Sequence, residues 1–222
     1  MTQGALVVLA KLPRAGRVKT RLAPRLGIQG AAAFQSAVLR DMLEHAWPVA
    51  HRVLLFDEED VSWWARATAL GWRVGLQSDG GLGERMAHGL RTGQALARDT
   101  LLIGSDAPLL TGAVVAEALA LLRVADAVLI PALDGGFAGI GGALPWEEVW
   151  RDLRWSHPGV AAEVRAALSR RGWCLEETAG VMDVDTPDDL DSLLRSLVPD
   201  RLGGFASRGR HLNAWLRAQG AA

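Results

Sequence analysis

The chain has 222 residues, half of them hydrophobic and 22% charged, with a formal net charge of -1 at pH 7. Those values exclude a disordered chain, which needs low hydrophobicity and high net charge, and a broadly basic nucleic-acid binder. The single cysteine, Cys174, excludes an internal disulfide framework and a Cys-rich zinc site, and fits a reducing compartment. The longest strongly apolar run, residues 5–10, falls far short of the roughly 18 residues of a membrane span. Met1-Thr2-Gln3-Gly4 has no basic start of a signal peptide, so a cytoplasmic protein without a membrane span is expected.

Short apolar runs alternate with helical patterns. Residues 5–10, 52–57, 72–77, 100–106 and 126–132 are rich in Val, Leu and Ile, are bounded by Gly, Asp or Pro, and predict buried strands. Residues 31–45 carry Phe34, Val38 and Met42 on one helical face, with Leu39 and Leu43 beside it. Further helices are expected over 61–70, 83–97 and 114–122. The alternation predicts an α/β fold, a three-layer sandwich with a mostly parallel sheet between helices. Beyond residue 131 the rhythm changes. Residues 137–142 are small and apolar, a strand or an irregular segment. Helical patterns at 146–152 and 159–171 precede a short strand at 173–176. Thr186 followed by Pro187, Asp188 and Asp189 has the spacing of a capping box, and Leu190, Leu193, Leu194 and Leu197 make the stripe of the helix it opens. One domain over 1–198 is expected, with a basic tail at 199–222 that holds a short helix at 209–218.

In a parallel sheet, ligands bind beyond the carboxyl ends of the strands. The loop after the first strand, residues 11–25, has six basic residues and no acid: Lys11, Arg14, Arg17, Lys19, Arg21 and Arg25. Lys11 and Lys19 are the only lysines of the chain. A phosphate chain would neutralise such a cluster, and its place at the carboxyl end of the first strand favours that over a merely solvated basic loop. The order of residues matches neither a Walker loop nor a dinucleotide-binding glycine fingerprint.

Asp106 ends the fourth strand after Gly104 and Ser105. It is placed either as a magnesium ligand or as the cap of the turn before Pro108. Asp188 and Asp189 are explained by the helix they open. Asp183 and Asp185 are not. They alternate, share one face of an extended segment, and either could supply a second metal carboxylate. Asp134-Gly135-Gly136 follows the fifth strand; it allows close approach of a ligand, or is simply a turn. Residues 80–86, with Gly83 and Arg85, open a helix and could cradle a base or a phosphate, or form a plain turn. Ser156-His157 is weak ground for nucleophilic catalysis, because such groups are recognised by geometry and not by adjacency.

Taken together, the segments 11–22, 82–86, 104–109, 134–137, 155–156 and 183–190 resemble a bacterial family of glycosyltransferase-A-like proteins, described as nucleotide-diphospho-sugar transferase-like. The resemblance covers residues 5–197. The segments also look like those of molybdenum-cofactor and phospholactate guanylyltransferases, whose basic loop ends as Thr20-Arg21-Leu22 does here. It implies a glycosyltransferase-A-like fold with a nucleotide site over the first strands and a site for magnesium or manganese. Carried over by position, Lys19 and Arg21 would hold the phosphate chain with Lys11 adding charge. Arg14, Gly16, Arg17, Thr20, Gly83, Arg85 and Ser105 would complete the donor site. Asp106 would hold the metal with Asp183 or Asp185, and the loop of Asp134, Gly135 and Gly136 would face the acceptor. The chain departs from the family pattern at Ala15, where Pro is usual, at Phe137, where Tyr is usual, and at His157, where Thr is common.

The function implied is metal-dependent transfer from a nucleotide or nucleotide-sugar donor to a small-molecule acceptor. Nucleotidyl transfer to a phosphorylated acceptor is favoured over glycosyl transfer, because a triphosphate brings more charge to a basic loop. A non-catalytic nucleotide-binding module is the rival from another class, and a dinucleotide-dependent oxidoreductase is disfavoured by the missing fingerprint.

Overall fold

Strand β1 (Thr2–Ala10) turns Leu6, Val8 and Ala10 into one core and Val7 into the other, none of them more than 2% exposed. That alternation places the strand at the middle of a two-sided sheet. The computed structural model describes residues 2–151, 153–155, 157–196 and 209–218. Its sheet has seven strands: β1, β2 (Val49–Phe56), β3 (Arg73–Leu76), β4 (Thr100–Gly104), β5 (Ala127–Pro131), β6 (Phe137–Gly141) and β7 (Leu175–Glu177). Their order is β3-β2-β1-β4-β6-β5-β7. All neighbours are parallel except β6, which runs antiparallel to both β4 and β5.

Helices cover both faces. On one lie α1 (Ala23–Glu44), α2 (Val61–Ala69), α4 (Gly112–Leu121), α7 (Pro187–Ser196) and α8 (Arg210–Ala218), which bring Phe34, Met42, Ala67, Leu119, Leu193 and Leu212 to a shared core. On the other lie α3 (Leu82–Gln94), α5 (Trp146–Trp150) and α6 (Val160–Arg170), with Leu90, Trp146 and Leu168 fully buried. This is the expected α/β/α sandwich. Among the described residues no helix is long and apolar enough to cross a membrane.

Most boundaries fall within a few residues of expectation. The largest difference is α1, which begins eight residues before the periodic stripe at 31. Pro24 starts it without losing a bond, since the first amides of a helix have no partner. A kink at Gly27, with φ 69°, separates this first turn from the amphipathic part. The expected capping box is present. The Thr186 amide donates to Asp189 Oδ2 at 2.7 Å, and the Asp189 amide donates to Thr186 Oγ1 at 3.3 Å. Asp152, Ser156, Leu197 and the tail from 199 to 208 lie outside the described residues.

The helix expected at 209–218 is part of the core. Leu212 is fully buried, and Trp215 meets Phe34 edge to face at 5.2 Å. Asp41, on α1 and only 3% exposed, caps α8: its carboxylate accepts from the amides of His211 at 3.0 Å and Leu212 at 2.8 Å. Asp41→Ala is expected to cost about 1–2 kcal/mol, the worth of a good cap. Amide exchange should accelerate across residues 210–218 and not in the sheet; unchanged exchange there would contradict this role for Asp41.

Candidate active site

Every strand that runs parallel to β1 delivers its following loop to one end of the sheet, and the site is built from those loops. After β1 the chain passes Lys11, turns at Gly16 (φ 77°), and reaches Lys19 in the left-handed region, with φ 47° and ψ 42°. A 3-10 turn, Thr20–Leu22, follows and buries Leu22. That anchor directs the Lys19 side chain inward; the residue is 8% exposed. Its ammonium donates to the Val184 carbonyl at 2.6 Å and lies 2.9 Å from Asp106 Oδ1 and 3.8 Å from Asp185 Oδ1. Arg21 Nη1 donates to Asp185 Oδ2 at 3.0 Å. Thus four residues picked from three separate stretches of sequence meet in one cluster.

The backbone explains how the acidic stretch comes to lie there. The segment after β7 continues beside the loop after β5, with Ala132 and Val181 bridged in parallel and the Leu133 amide donating to the Val181 carbonyl. The Val184 amide then donates to the Asp106 carbonyl at 3.0 Å. Asp183 is carried to Asp134, and its pKa is pushed up to about 6 by burial first and by the Asp134 charge second, with Lys19 opposing. Asp134 itself accepts from the Gly136 amide at 2.8 Å, which closes its own turn.

A raised carboxyl pKa means that the folded chain holds the proton more tightly than the unfolded chain. The stabilisation from Asp183 is therefore full below 3.8, its ordinary value, and lost as pH rises through about 6. Asp183→Asn should gain about 1–2 kcal/mol at pH 8 after allowance for solvent, and should remove the fall in stability between pH 4 and 7. Urea midpoints across that range check it; a loss of stability at pH 8 would contradict it.

The remaining candidates fall into two groups. Arg14 and Arg17 both pair with Glu58, Arg17 at 3.2 Å, and Arg25 pairs with Asp191 at 2.5 Å. Much of the charge in the basic loop is thus offset from within the protein, by acids far away in sequence. The run Asp57-Glu58-Glu59-Asp60 was the visible signal for this. Lys11 is exposed and has no ion-pair partner among the described residues. Thr20 is exposed at the start of its turn, and Arg85 donates to the Gly80 carbonyl at 3.1 Å.

Other candidates have packing roles that the sequence did not reveal. A Cβ on Gly83 would stand 3.1 Å from Trp155 and 3.2 Å from Trp150, so this glycine lets the tryptophans lie against α3. A Cβ on Gly135 (φ 91°) would run into the Pro158 carbonyl, so only glycine fits beside it. His157 folds back on its own loop, accepting from the Gly159 amide at 3.1 Å. Ser105 is 4% exposed and accepts from Gln35 Nε2 at 3.1 Å, while Gln35 Oε1 is buried with no partner among the described residues.

Two carboxylates and a carbonyl surround the Lys19 ammonium. This is an all-oxygen set of the kind hard divalent cations prefer, and a cationic nitrogen already stands within it. Among the described residues no three His, Cys, Asp or Glu side chains gather into a metal site of their own. The residues fit a magnesium-type ion that takes one or two carboxylates and completes its shell with substrate phosphates and water.

The sheet order and the helical layers on both faces are those of the nucleotide-diphospho-sugar transferase fold. A solved candidate nucleotide-diphospho-sugar transferase from Desulfovibrio desulfuricans G20 superposes with a TM-score of 0.84 at 27% identity, over 100% of this chain and 96% of that one. The chain belongs to the bacterial family described as "Uncharacterized protein conserved in bacteria (DUF2064)", whose model matches residues 42–157. No curated protein matches the sequence. The fold alone is shared with a cytidylyltransferase from Leptospira borgpetersenii (TM-score 0.56, 14% identity, 100% of this chain and 96% of that one). It is also shared with Rv0371c of Mycobacterium tuberculosis H37Rv, solved in complex with manganese (TM-score 0.51, 21% identity, 88% of this chain and 100% of that one). These neighbours in fold are nucleotidyl and nucleotide-sugar transferases or proteins that share their architecture.

Proposed function

We propose that the protein is a divalent-metal-dependent transferase that takes a nucleotide or nucleotide-sugar donor, with nucleotidyl transfer to a small phosphorylated acceptor as the favoured reaction. The observation that carries this reading is the buried Lys19 ammonium set between Asp106, Asp185 and Val184, with Arg21 beside it. Two cations from the loop after β1 suit a polyphosphate, and the carboxylates next to them, Asp106 after β4 among them, suit its counter-ion.

In this reaction an acceptor phosphate oxygen bonds to the α-phosphorus of a nucleoside triphosphate. The bond from that phosphorus to the bridging oxygen breaks, and pyrophosphate leaves with the electron pair. Lys19 and Arg21 stabilise the charge that grows on the leaving group, with Lys11 free to add to them. Asp106, with Asp183 or Asp185, would hold a magnesium or manganese ion, which when bound would supply further neutralisation of the phosphate charge. No nucleophilic side chain is required. In the glycosyl form of the reaction, the acceptor bonds to the anomeric carbon and a nucleoside diphosphate leaves past the same groups. Support for that form comes from the likeness to the Desulfovibrio protein.

The test is product release. Purified protein with magnesium is given nucleoside triphosphates and a panel of phosphorylated acceptors, then nucleoside diphosphate sugars. Pyrophosphate release that depends on the acceptor supports nucleotidyl transfer, and nucleoside diphosphate release supports the glycosyl form. A protein whose melting temperature no donor raises, with or without metal, would refute both.

A further inference from the structure

Lys19 stands among the oxygens that would hold a divalent ion between Asp106 and Asp185. Its nitrogen is within 2.6–3.8 Å of the Val184 carbonyl, Asp106 Oδ1 and Asp185 Oδ1. Two independent features show that it is held there. The side chain is 4% exposed, against 72% for Arg21, so bulk water competes little for its ammonium. Its backbone is in the left-handed region, an uncommon conformation for a residue with a side chain and among the described residues the only non-glycine one. Two positive centres cannot share one carboxylate oxygen at such distances without strong repulsion.

We infer that Lys19 is the resident cation of the Asp106–Asp185 oxygen set, and that it excludes a free divalent metal until a donor phosphate draws its ammonium away. The inference rests on the donor-site reading above and adds its regulation. Without donor, the ammonium ties the loop after β4 and the segment before α7 to the loop after β1. When donor enters, the phosphate chain offers Lys19 a competing anion. Asp106 is then released to the cation that accompanies the donor. Donor and metal binding are thereby coupled positively, and each must raise the affinity of the other.

Manganese binding to the full-length protein tests this, followed by the electron paramagnetic resonance signal of the free ion, in the absence of nucleotide. Lys19→Met keeps the buried stem and removes the charge. It should bind manganese alone at least tenfold more tightly than the wild type, and Asp106→Asn in that background should abolish the gain. Lys19→Gln is the second neutral variant and should behave alike if the methionine variant does not fold. Manganese affinity within twofold of wild type, or weaker, in a folded neutral variant would overturn the inference. A gain in manganese affinity in a protein that no nucleotide stabilises would sink the donor reading and leave the Lys19 exclusion standing. Nucleotide binding without that gain would do the reverse.

Discussion

Asp106→Asn is expected to lower turnover about 100- to 1,000-fold, in whichever product-release assay detects it, with a folded protein and at most about 1–2 kcal/mol of lost stability. The size follows from what Asp106 does at once. Its carboxylate closes on the Lys19 ammonium at 2.9 Å, and its own carbonyl accepts from the Val184 amide at 3.0 Å. The amide variant keeps the backbone bond, the volume and a polar oxygen, but loses the charge. Lys19 keeps the Val184 carbonyl and Asp185, so the fold survives. The Asp106 side chain is 55% exposed, which also limits the structural cost. Turnover should fall because, on the proposed reading, the carboxylate that would hold the cation accompanying the donor phosphates has lost its charge. Turnover within threefold of wild type would remove Asp106 from the machinery.

Gly135→Ala should be the most destabilising single methyl group in the candidate site, at about 3–5 kcal/mol in urea unfolding. Two costs add. The residue sits at φ 91°, where a side chain is strained, and its new Cβ would lie 2.0 Å from the Pro158 carbonyl oxygen. That neighbour is backbone and cannot rotate aside. It is further fixed because the Ala161 amide donates to the Gly135 carbonyl at 3.3 Å, which joins this turn to the start of α6. The turn must therefore move, and Asp134 with it. A cost below about 1 kcal/mol would show that the turn is looser than its contacts imply.

The parallel strands and the helices between them were legible because each carries a local signal: a run of branched residues, a stripe at helical spacing, a capping box at Thr186 and Asp189. The place of β6 was not. Nothing local in Phe137–Gly141 says that it inserts antiparallel between β4 and β5, since that choice belongs to the whole sheet. Glycines at 139 and 141 also weakened its strand signal. The site was readable to the extent that it is charged. Lys19, Arg21, Asp106 and Asp185 stand out by type and by position after strands, and they meet.

What the sequence hid were partners distant along the chain. Six cations in one loop invite an external anion, yet Glu58 and Asp191 take three of them. The Val184 carbonyl that receives Lys19 is a backbone atom, and no residue identity announces it. Asp41 looks like any polar residue on a helix until α8 is laid across it, and Gln35 until Ser105 is placed beneath it.

A crystal structure of the protein with manganese and a non-hydrolysable nucleoside triphosphate analogue tests the central claim most directly. The account predicts anomalous density within coordination distance of the Asp106 carboxylate, and the phosphate chain between Lys19 and Arg21. The opposite end of the sheet offers a cavity of about 710 Å3 lined by Gln3, His51, Arg98, Asp99 and Arg123. Nucleotide bound there, or anywhere that leaves Lys19 closed on Asp106, would contradict it.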